Sequence, residues 1–504
     1  MLGRILSKVR APKDASNAVR ETSQKARPVR TGDGTASETG AIVGIDDKAN
    51  RRLLRKIDWK LLPVFCATYT LQFYGKAILG QANIFGLAKD LNLIDGLQYS
   101  WVTLIFYFGY IIGTYPLSLM AQRYPPRIVI TSIFFLWSAT IIVTPASNSY
   151  RWMLINRFFL GFIGSGVSPI FMLVNGLWYT HDEQVLRSSL WYSCSGGSVL
   201  VFPLINYGLG HISEGPLHTW QYMYLVSGIV SILWSTLLYS HFPDTPQDAR
   251  GFTDEEQRLL LERMKGNNAG GENRQFKAYQ LREALLDYHF WGIMILSTTT
   301  CTGSGVVGAF GSIMFKAMGF DIFASMLLNL PIGALAVTSI LVSGYLERAI
   351  PNARLYIIAL SCFPVMIGCG LLWKLDNINK SGRIAGFYMI STYCAAWIQC
   401  IGLGTSNVAG YTKKAVYAAG TFIGYSLGNI IGPLIFDARW SPHYGPSFMG
   451  LMICFSICFT TALTLRFTLV RENQRRDRDF GPPTTSHGLE DLTDRENKSF
   501  RYNL

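Results

Sequence analysis

The sequence predicts an all-α membrane protein with twelve transmembrane helices arranged as two six-helix bundles. Hydrophobic residues make up 49% of the 504 residues, while charged residues make up only 15%. The apolar residues gather into blocks of about 20, the length at which an α-helix crosses a bilayer. These blocks form two groups of six with a polar stretch between them, which is the pattern of a chain built from two related halves.

Apolar runs bounded by charge, proline or glycine give the order of the spans. The first group lies at residues 59–82, 99–121, 128–147, 150–174, 188–211 and 219–242. The second group lies at residues 287–315, 322–346, 354–373, 384–409, 412–436 and 444–470. Each group covers 184 residues, so we expect two bundles of equal length, 59–242 and 287–470.

Three polar segments flank and join the bundles. Residues 1–58 form a basic tail, which we expect to be disordered because its first 50 residues lack aromatic side chains. Residues 243–286 form a linker, in which Thr253 and Glu256 predict a capped helix start, and residues 471–504 form a polar tail. The three segments hold 13, seven and seven Lys and Arg residues. An even number of spans puts them on one side, which the positive-inside rule makes cytoplasmic.

Composition also argues against several functions. All nine cysteines lie within apolar spans without CxxC or Cys/His spacing, so neither a metal site nor a disulfide framework is predicted. No Ser/His/Asp set or nucleotide loop falls on a soluble segment, so we expect no enzyme activity and no cofactor. The net charge of +13 comes from the tails and suits an anionic membrane surface rather than nucleic acid. Asn379 begins a glycosylation sequon in a predicted outer loop.

Lys76 and Arg157 are the only Lys and Arg residues deep inside the predicted spans, and no Asp, Glu or His accompanies them. An ionic group in hydrocarbon costs about 2.5–3.5 kcal/mol on insertion scales, so such groups usually handle ions or substrates. At about 1.5 Å per residue, the two cations lie at similar depth in the first and fourth helices. They predict an anion site, in which the guanidinium grips a carboxylate and the ammonium adds charge. A structural role, by bonding to carbonyl groups or snorkelling, is the alternative for either cation.

Other side chains in the spans are weaker candidates for the same site. Tyr69 and Gln72 share a helix face with Lys76, because the three are spaced three and four residues apart. Aromatic residues could stack on a planar ligand, whereas amides inside a membrane must find partners. Helix packing or the interfacial aromatic belt is the alternative for each aromatic residue. The further candidates that we select are Tyr69, Gln72, Tyr107, Trp191, Gln399 and Asn429. The same spans offer Tyr110, Tyr192, Tyr393, Trp397 and Tyr425 as additional aromatic candidates.

Long motifs in both halves carry a family resemblance. They include FYFGYIIGTYPLSLMAQRYP (106–125), FMLVNGLWYTHDEQVLRSSLW (171–191), EALLDYHFW (283–291) and SNVAGYTKKAVYAAGTFIGYSLGNIIGPLIF (406–436). These stretches resemble the allantoate permease family, a fungal anion:cation symporter branch of the major facilitator superfamily. The resemblance implies a major facilitator fold, with a central cavity that opens alternately to each side. It also implies small organic anions, such as allantoate or nicotinate, as cargo.

The loop after the second span differs from the usual facilitator pattern. Many facilitator proteins place an Asp-Arg pair and a Gly-Arg pair there, where this chain has Gln122-Arg123 and Pro126-Arg127. Arg123 and Arg127 could bond to a helix end and gate the transition between inward and outward states. A role limited to fixing the orientation of the spans is the alternative.

Two further differences from the family concern the coupling of transport to protons. Relatives commonly read Leu-Asp-Lys in the first helix, where this chain reads Tyr74-Gly75-Lys76. Relatives often carry Gly-x-x-Glu-Ala in the fourth helix, where this chain has Gly164 in place of the acid. Membrane carboxylates are the usual proton carriers of symporters, so the sequence leaves proton coupling open.

The sequence as a whole predicts a secondary transporter of the plasma membrane that works as a monomer. We expect it to move a small organic anion by alternating access, in the direction of uptake, with protons as an open second partner. An exporter of a fungal metabolite and a non-transporting nutrient sensor stay open as alternatives.

Overall fold

The computed structural model describes residues 47–93, 98–212, 215–242, 251–265, 277–375, 379–436, 440, 444–482 and 492–504. All of these residues belong to one compact unit. They are mostly helical, and no β-strand occurs within these ranges. Residues 1–46 lie outside the described part of the chain, so the predicted disorder of that stretch is untested.

Twelve long helices of the described chain fall where the apolar blocks are. The first half contains α1 (Asp47–Ile84), α2 (Gln98–Arg123), α3 (Pro126–Val143), α4 (Tyr150–Trp178), α5 (His181–Gly210) and α6 (Thr219–His241). The second half contains α7 (Tyr288–Ala317), α8 (Ile322–Ala349), α9 (Arg354–Lys374), α10 (Lys380–Ser406), α11 (Tyr411–Ile435) and α12 (Gly445–Phe480). Ten of the twelve are long and apolar enough to cross a membrane. The other two, α1 and α5, are 38 and 30 residues long but carry more polar residues.

The helices pack within each half and meet along three lines between the halves. In the first half α1 packs against α5 and α6, and α2 packs against α4; in the second half α7 packs against α11 and α12. The halves meet where α5 contacts α8, where α2 contacts α11 and where α1 contacts α7. At the α5–α8 line a Cβ on Gly196 would lie 2.8 Å from the Gly333 carbonyl oxygen, so the two backbones are in contact. The predicted fold, an all-α membrane protein with twelve helices in two bundles, is confirmed.

Two short helices mark one end of the bundle, which we call the linker face. They are Asp254–Lys265 and Ala278–Leu285. Arg263 of the first one donates to both carboxylate oxygens of Glu183, at 2.7 and 2.6 Å. Lys56 bonds to Glu256 at 2.5 Å, and this bond lowers the pKa of the Glu256 carboxyl group. These ion pairs hold the helix Asp254–Lys265 against the first half. We call the opposite end of the bundle the loop face.

The two predicted tails are partly folded. α1 begins at Asp47, so residues 47–58, which we expected in the disordered tail, are helical. Leu53, Ile57 and Leu61 are buried at a spacing of four residues, which gives this extension an apolar face to pack. At the other end α12 continues to Phe480, and residues 492–504 pack against the linker face. The predicted capping box is also present, because Thr253 and Glu256 exchange hydrogen bonds of 2.9 and 3.3 Å.

Candidate functional site

Two cavities lie between the halves of the bundle. The larger has about 1070 Å³ of space between atoms, including space open to solvent, and reaches toward the loop face, where Gln81 and Tyr99 line it. The smaller has about 560 Å³ on the same basis and reaches toward the linker face. Phe73, Lys76 and Phe106 line both cavities, so they form the boundary between them.

Lys76 spans the interface between the halves at this boundary. Its ammonium group comes from α1 and donates to the Tyr425 hydroxyl of α11 at 2.7 Å. The Asn429 side-chain oxygen lies 3.4 Å from the same nitrogen. The rings of Tyr425 and Tyr107 lie 5.0 and 5.1 Å away, within cation–π range. The acceptors that hold this cation are therefore neutral oxygens and ring faces.

Arg157 lies on the wall of the larger cavity, which Lys76 also lines. Its side chain is only 2% exposed and donates to the Tyr224 hydroxyl of α6. The Arg157 Nε atom is buried and has no hydrogen-bond partner in the described part of the chain. The structure thus brings the two predicted cations to one cavity, and each has a tyrosine hydroxyl as its acceptor.

The electrostatic character of the cavities follows from their linings. Lys76 and Arg157 line the larger cavity, and Lys76 also lines the smaller one. No Asp, Glu or His is among the described residues that line either cavity. Two cations without a local counter-charge produce a positive potential, which is stronger in a low-dielectric surrounding than in water. Such a cavity suits an anion.

Tyr69, Gln72 and Trp191 line the smaller cavity. The Tyr69 and Trp191 rings meet edge to face with centroids 5.0 Å apart. The Gln72 amide donates to the Gly164 carbonyl oxygen at 2.6 Å, so it also joins α1 to α4. The structure therefore places these three predicted residues next to Lys76 but on the side of the linker face. Their binding role stays a prediction.

The two predicted amides have different positions. Asn429 is fully buried beside Lys76, where its side-chain oxygen also accepts from the Tyr107 hydroxyl at 2.9 Å. Gln399 is not among the residues that line the two cavities. Its amide donates instead to the Ser343 carbonyl oxygen at 3.1 Å, which joins α10 to α8. The geometry supports Asn429 as a member of the Lys76 cluster and separates Gln399 from it.

Gly75 and Gly164, the positions at which the family resemblance leads us to expect acids, both face the indole of Trp137. A Cβ on Gly75 would lie 2.5 Å from Trp137 Cζ2, and a Cβ on Gly164 would lie 3.2 Å from Trp137 Cδ1. Trp137 belongs to α3 and is 1% exposed. The indole therefore fills the space between α1 and α4, where side chains at these two positions would otherwise extend.

The predicted gating and glycosylation residues lie near the ends of helices. Arg123 is exposed at the last residue of α2. The Arg127 guanidinium, near the start of α3, lies 5.4 Å from the centre of the Tyr239 ring. Asn379 is exposed at the loop-face start of α10, where its side-chain oxygen accepts from the Gly382 N–H at 3.0 Å. The roles predicted for these residues stay predictions.

Several polar residues of the larger cavity are absent from the predicted set. Gln81 accepts a hydrogen bond from Asn206, which in turn accepts from the Tyr74 hydroxyl at 2.6 Å. Ser304 and Asn329 line the same cavity from the second half. Gln81 could be selected from the sequence as a cavity candidate, because an amide within a span needs a hydrogen-bond partner. Ser304 and Asn329 have no comparable signal, since short polar residues are common at helix contacts.

Comparison with known proteins agrees with this architecture. A family model described as the Major Facilitator Superfamily matches residues 65–433. An uncharacterised transporter of Schizosaccharomyces pombe is 34% identical and covers 93% of this chain and 92% of its own length. The allantoate permease of Saccharomyces cerevisiae is 27% identical over 93% of this chain and 89% of its own length. The thiamine pathway transporter of the same yeast is 28% identical, covering 93% and 90% respectively.

Solved structures show the same fold at low sequence identity. A D-xylose-proton symporter is similar with a TM-score of 0.59, at 15% identity, over 80% of this chain and 96% of that chain. A bacterial homologue of the human lysosomal transporter Spinster is similar with a TM-score of 0.55, over 82% and 97%. The family resemblance predicted from the sequence is confirmed. The chain is a membrane transporter of the major facilitator superfamily, and the yeast allantoate permease is among its relatives.

Proposed function

We propose that this protein transports a small organic anion, bound between Lys76 and Arg157 in the cavity between the halves. The observation that carries the proposal is the lining of that cavity, which holds both cations and no acid among the described residues. A carboxylate of the cargo would supply the missing counter-charge. The allantoate permease among the relatives supports the same class of cargo.

The contacts of Lys76 suggest how binding couples to alternating access. Its ammonium group now bonds to Tyr425 and approaches Asn429, so it joins α1 of the first half to α11 of the second. The present acceptors of the ammonium group are neutral oxygens, whereas a carboxylate would add a charge–charge attraction that is strong in a low-dielectric cavity. A cargo carboxylate therefore competes with Tyr425 and Asn429 for Lys76. When Lys76 turns to the cargo, α11 loses its bond to α1, and the boundary between the two cavities can open.

Proton coupling through the protein itself has little support in this site. Trp137 fills the space beside Gly75 and Gly164, and no carboxylate lines either cavity in the described chain. We therefore propose that the anion moves by uniport or exchange, or that its own carboxyl group carries the proton. The direction that we propose is uptake.

We further propose that the protein lies in the plasma membrane with the linker face in the cytoplasm. The support is the distribution of basic residues, because the segments at 1–58, 243–286 and 471–504 hold 13, seven and seven Lys and Arg residues. Glycosylation of Asn379 would test this orientation, since Asn379 starts α10 at the opposite end of the bundle.

The test of the function is uptake into vesicles that contain the purified protein. A panel of radiolabelled carboxylates is compared with the neutral amide of each compound, and we expect saturable uptake of at least one carboxylate and none of its amide. Equal uptake of acids and amides would contradict an anion site. Uptake that requires an imposed proton gradient, and that persists with a permanently charged sulfonate analogue, would contradict the coupling proposal.

A further inference from the structure

Residues 492–504 lie in a groove on the linker face of the second half. The groove is lined by residues at the start of α7, next to the end of α10, at the start of α11 and on α12, together with Glu283 of the helix Ala278–Leu285. Thr493, Asp494 and Tyr502 of the segment are 0%, 1% and 4% exposed, so their side chains are inserted rather than laid on the surface. In the sequence the segment follows α12 after a stretch, 481–491, that is rich in Gly, Pro, Ser and Thr.

Two asparagines of the groove hold the backbone of the segment. Asn473 of α12 donates to the Tyr502 carbonyl oxygen at 2.8 Å and accepts from the Tyr502 N–H at 3.0 Å. Asn407, next to the end of α10, makes the same pair with Asn503, at 2.7 and 2.8 Å. A side-chain amide that bonds both the donor and the acceptor of one residue recognises peptide backbone. Such main-chain bonds supply affinity in peptide-binding proteins, while side-chain pockets supply specificity.

The carboxylate of Asp494 joins a buried cluster of ion pairs around Lys413. Lys413 of α11 is 0% exposed, and its ammonium nitrogen lies 2.7 Å from Asp494 Oδ1. The same nitrogen lies 2.9 Å from Glu283 Oε1 and 3.0 Å from Asp287 Oδ2. The segment also adds a cation, because Arg495 lies 3.6 Å from Asp287 Oδ1. The segment thus brings both an acid and a base to the cluster.

Arg476 of α12 provides the second specific contact. Its guanidinium donates to the carbonyl oxygens of Asp494 and Phe500, at 2.8 and 3.0 Å. It also lies 4.8 Å from the centre of the Tyr502 ring. The Tyr502 hydroxyl donates to Asp494 Oδ2 at 2.8 Å. Burial, together with the nearby Asp494 charge, raises the pKa of Tyr502, so the hydroxyl keeps the proton that it donates.

The groove is connected to the transport site through α11. Lys413 lies in the first turn of α11, and Tyr425 and Asn429 of the same helix hold Lys76. Twelve residues of helix separate Lys413 from Tyr425, which is about 18 Å at about 1.5 Å per residue. A contact that fixes the start of α11 therefore also fixes the acceptors of Lys76.

We propose that this groove is a peptide-binding site, that residues 492–504 are its tethered and reversible ligand, and that its occupancy controls α11 and hence the transport rate. Reversibility is expected because most of the contacts described above are hydrogen bonds and ion pairs, which water can replace on release. The link to transport rests on the proposed function, but peptide binding can be measured without any cargo.

The binding test uses the full chain with a protease site inserted within residues 483–490. After cleavage, a fluorescent peptide of residues 491–504 is added in detergent, and its anisotropy is measured. We expect saturable binding to the cleaved protein and at least tenfold weaker binding to the uncleaved protein, whose own segment competes at high effective concentration. A peptide carrying Asp494→Asn should bind at least tenfold more weakly, because Lys413 loses a charged partner. If the native peptide binds no better than a scrambled one, or if the Asp494→Asn peptide binds equally well, the peptide site is refuted.

The transport test compares two substitutions in the full chain. Asp494→Asn removes the contact with Lys413, whereas Asp479→Asn changes an exposed acid near the end of α12 and serves as the matched control. We expect Asp494→Asn to change the transport rate per folded protein at least threefold, and Asp479→Asn to leave it unchanged. If cleaved protein also regains its rate when the native peptide is added, the effect comes from occupancy of the groove. Equal rates for both variants would refute control of α11, even if the peptide binds.

Discussion

The contact between Gly75 and Trp137 gives a prediction that can be worked from distances. A Cβ on Gly75 would lie 2.5 and 2.6 Å from Trp137 Cζ2 and Cη2, and 2.7 Å from the Ile141 methyl group. These separations are far below van der Waals contact, and Trp137 is 1% exposed, so it has little room to move. A Cβ on Gly164 would lie 3.2 Å from its nearest atoms, which a small shift relieves.

The magnitudes follow from these distances. Gly75→Ala forces extra volume into a filled core and should cost about 1–3 kcal/mol. Gly164→Ala should cost much less, because its nearest contacts at 3.2 Å need only a small shift. Trp137→Leu alone leaves a void and is destabilising, but in its presence Gly75→Ala should lose most of its cost, because the two Trp137 contacts are gone and the Ile141 methyl group can shift into the void. The two changes should therefore be coupled by about 1 kcal/mol or more.

The assay is the apparent melting temperature of fluorescently tagged protein in detergent, read from the monodisperse fraction after heating. We expect Gly75→Ala to melt below Gly164→Ala, and Trp137→Leu to reduce that difference in the double variants. Equal melting temperatures for the two alanine variants would refute the close packing on Trp137. Simple additivity of Gly75→Ala and Trp137→Leu would refute it as well.

Three further predictions concern the ion pairs and polar contacts. Tyr425→Phe removes the 2.7 Å bond to Lys76, so we expect tighter cargo binding, seen as a several-fold lower KM; an unchanged KM would contradict the competition between cargo and α11. Arg263→Gln breaks the bonds to the partly exposed Glu183, so we expect a loss of about 1–3 kcal/mol in stability and a lower melting temperature. The exposed Arg258→Gln should leave the melting temperature unchanged. Asn206→Ala leaves the buried side chains of Tyr74 and Gln81 without their hydrogen bonds, whereas Tyr74→Phe removes only one bond. We therefore expect Asn206→Ala to lower the melting temperature more than Tyr74→Phe does, and the reverse order would be inconsistent with the network.

Much of the fold follows from the sequence because a bilayer imposes one length and one polarity on every span. The apolar blocks predict all twelve long helices of the described chain. The sequence does not predict the extension of α1 to Asp47, because Leu53, Ile57 and Leu61 form a short apolar face among many basic residues. It does not predict the docked segment 492–504 either, since hydrogen bonds to Asn407 and Asn473 leave no periodic signal in a sequence.

The candidate site was only partly predictable. Lys76 and Arg157 stand out because charge is costly in an apolar span, and the structure places both on one cavity. The sequence could not separate Asn429 from Gln399, since an amide satisfied by Lys76 and one satisfied by a backbone carbonyl look alike before packing is known. The sequence also shows that Gly75 and Gly164 are not acids, but it does not show that Trp137 fills the space beside them.

The central claim is that Lys76 holds the anionic group of the cargo. The most direct measurement is uptake of one transported carboxylate by the Lys76→Ala and Lys76→Arg proteins, normalised to the amount of folded protein. Lys316→Ala, which removes an exposed lysine near the end of α7, is the matched control. We predict that Lys76→Ala abolishes saturable uptake, that Lys76→Arg retains part of it, and that Lys316→Ala transports normally. Full uptake by Lys76→Ala would contradict the account.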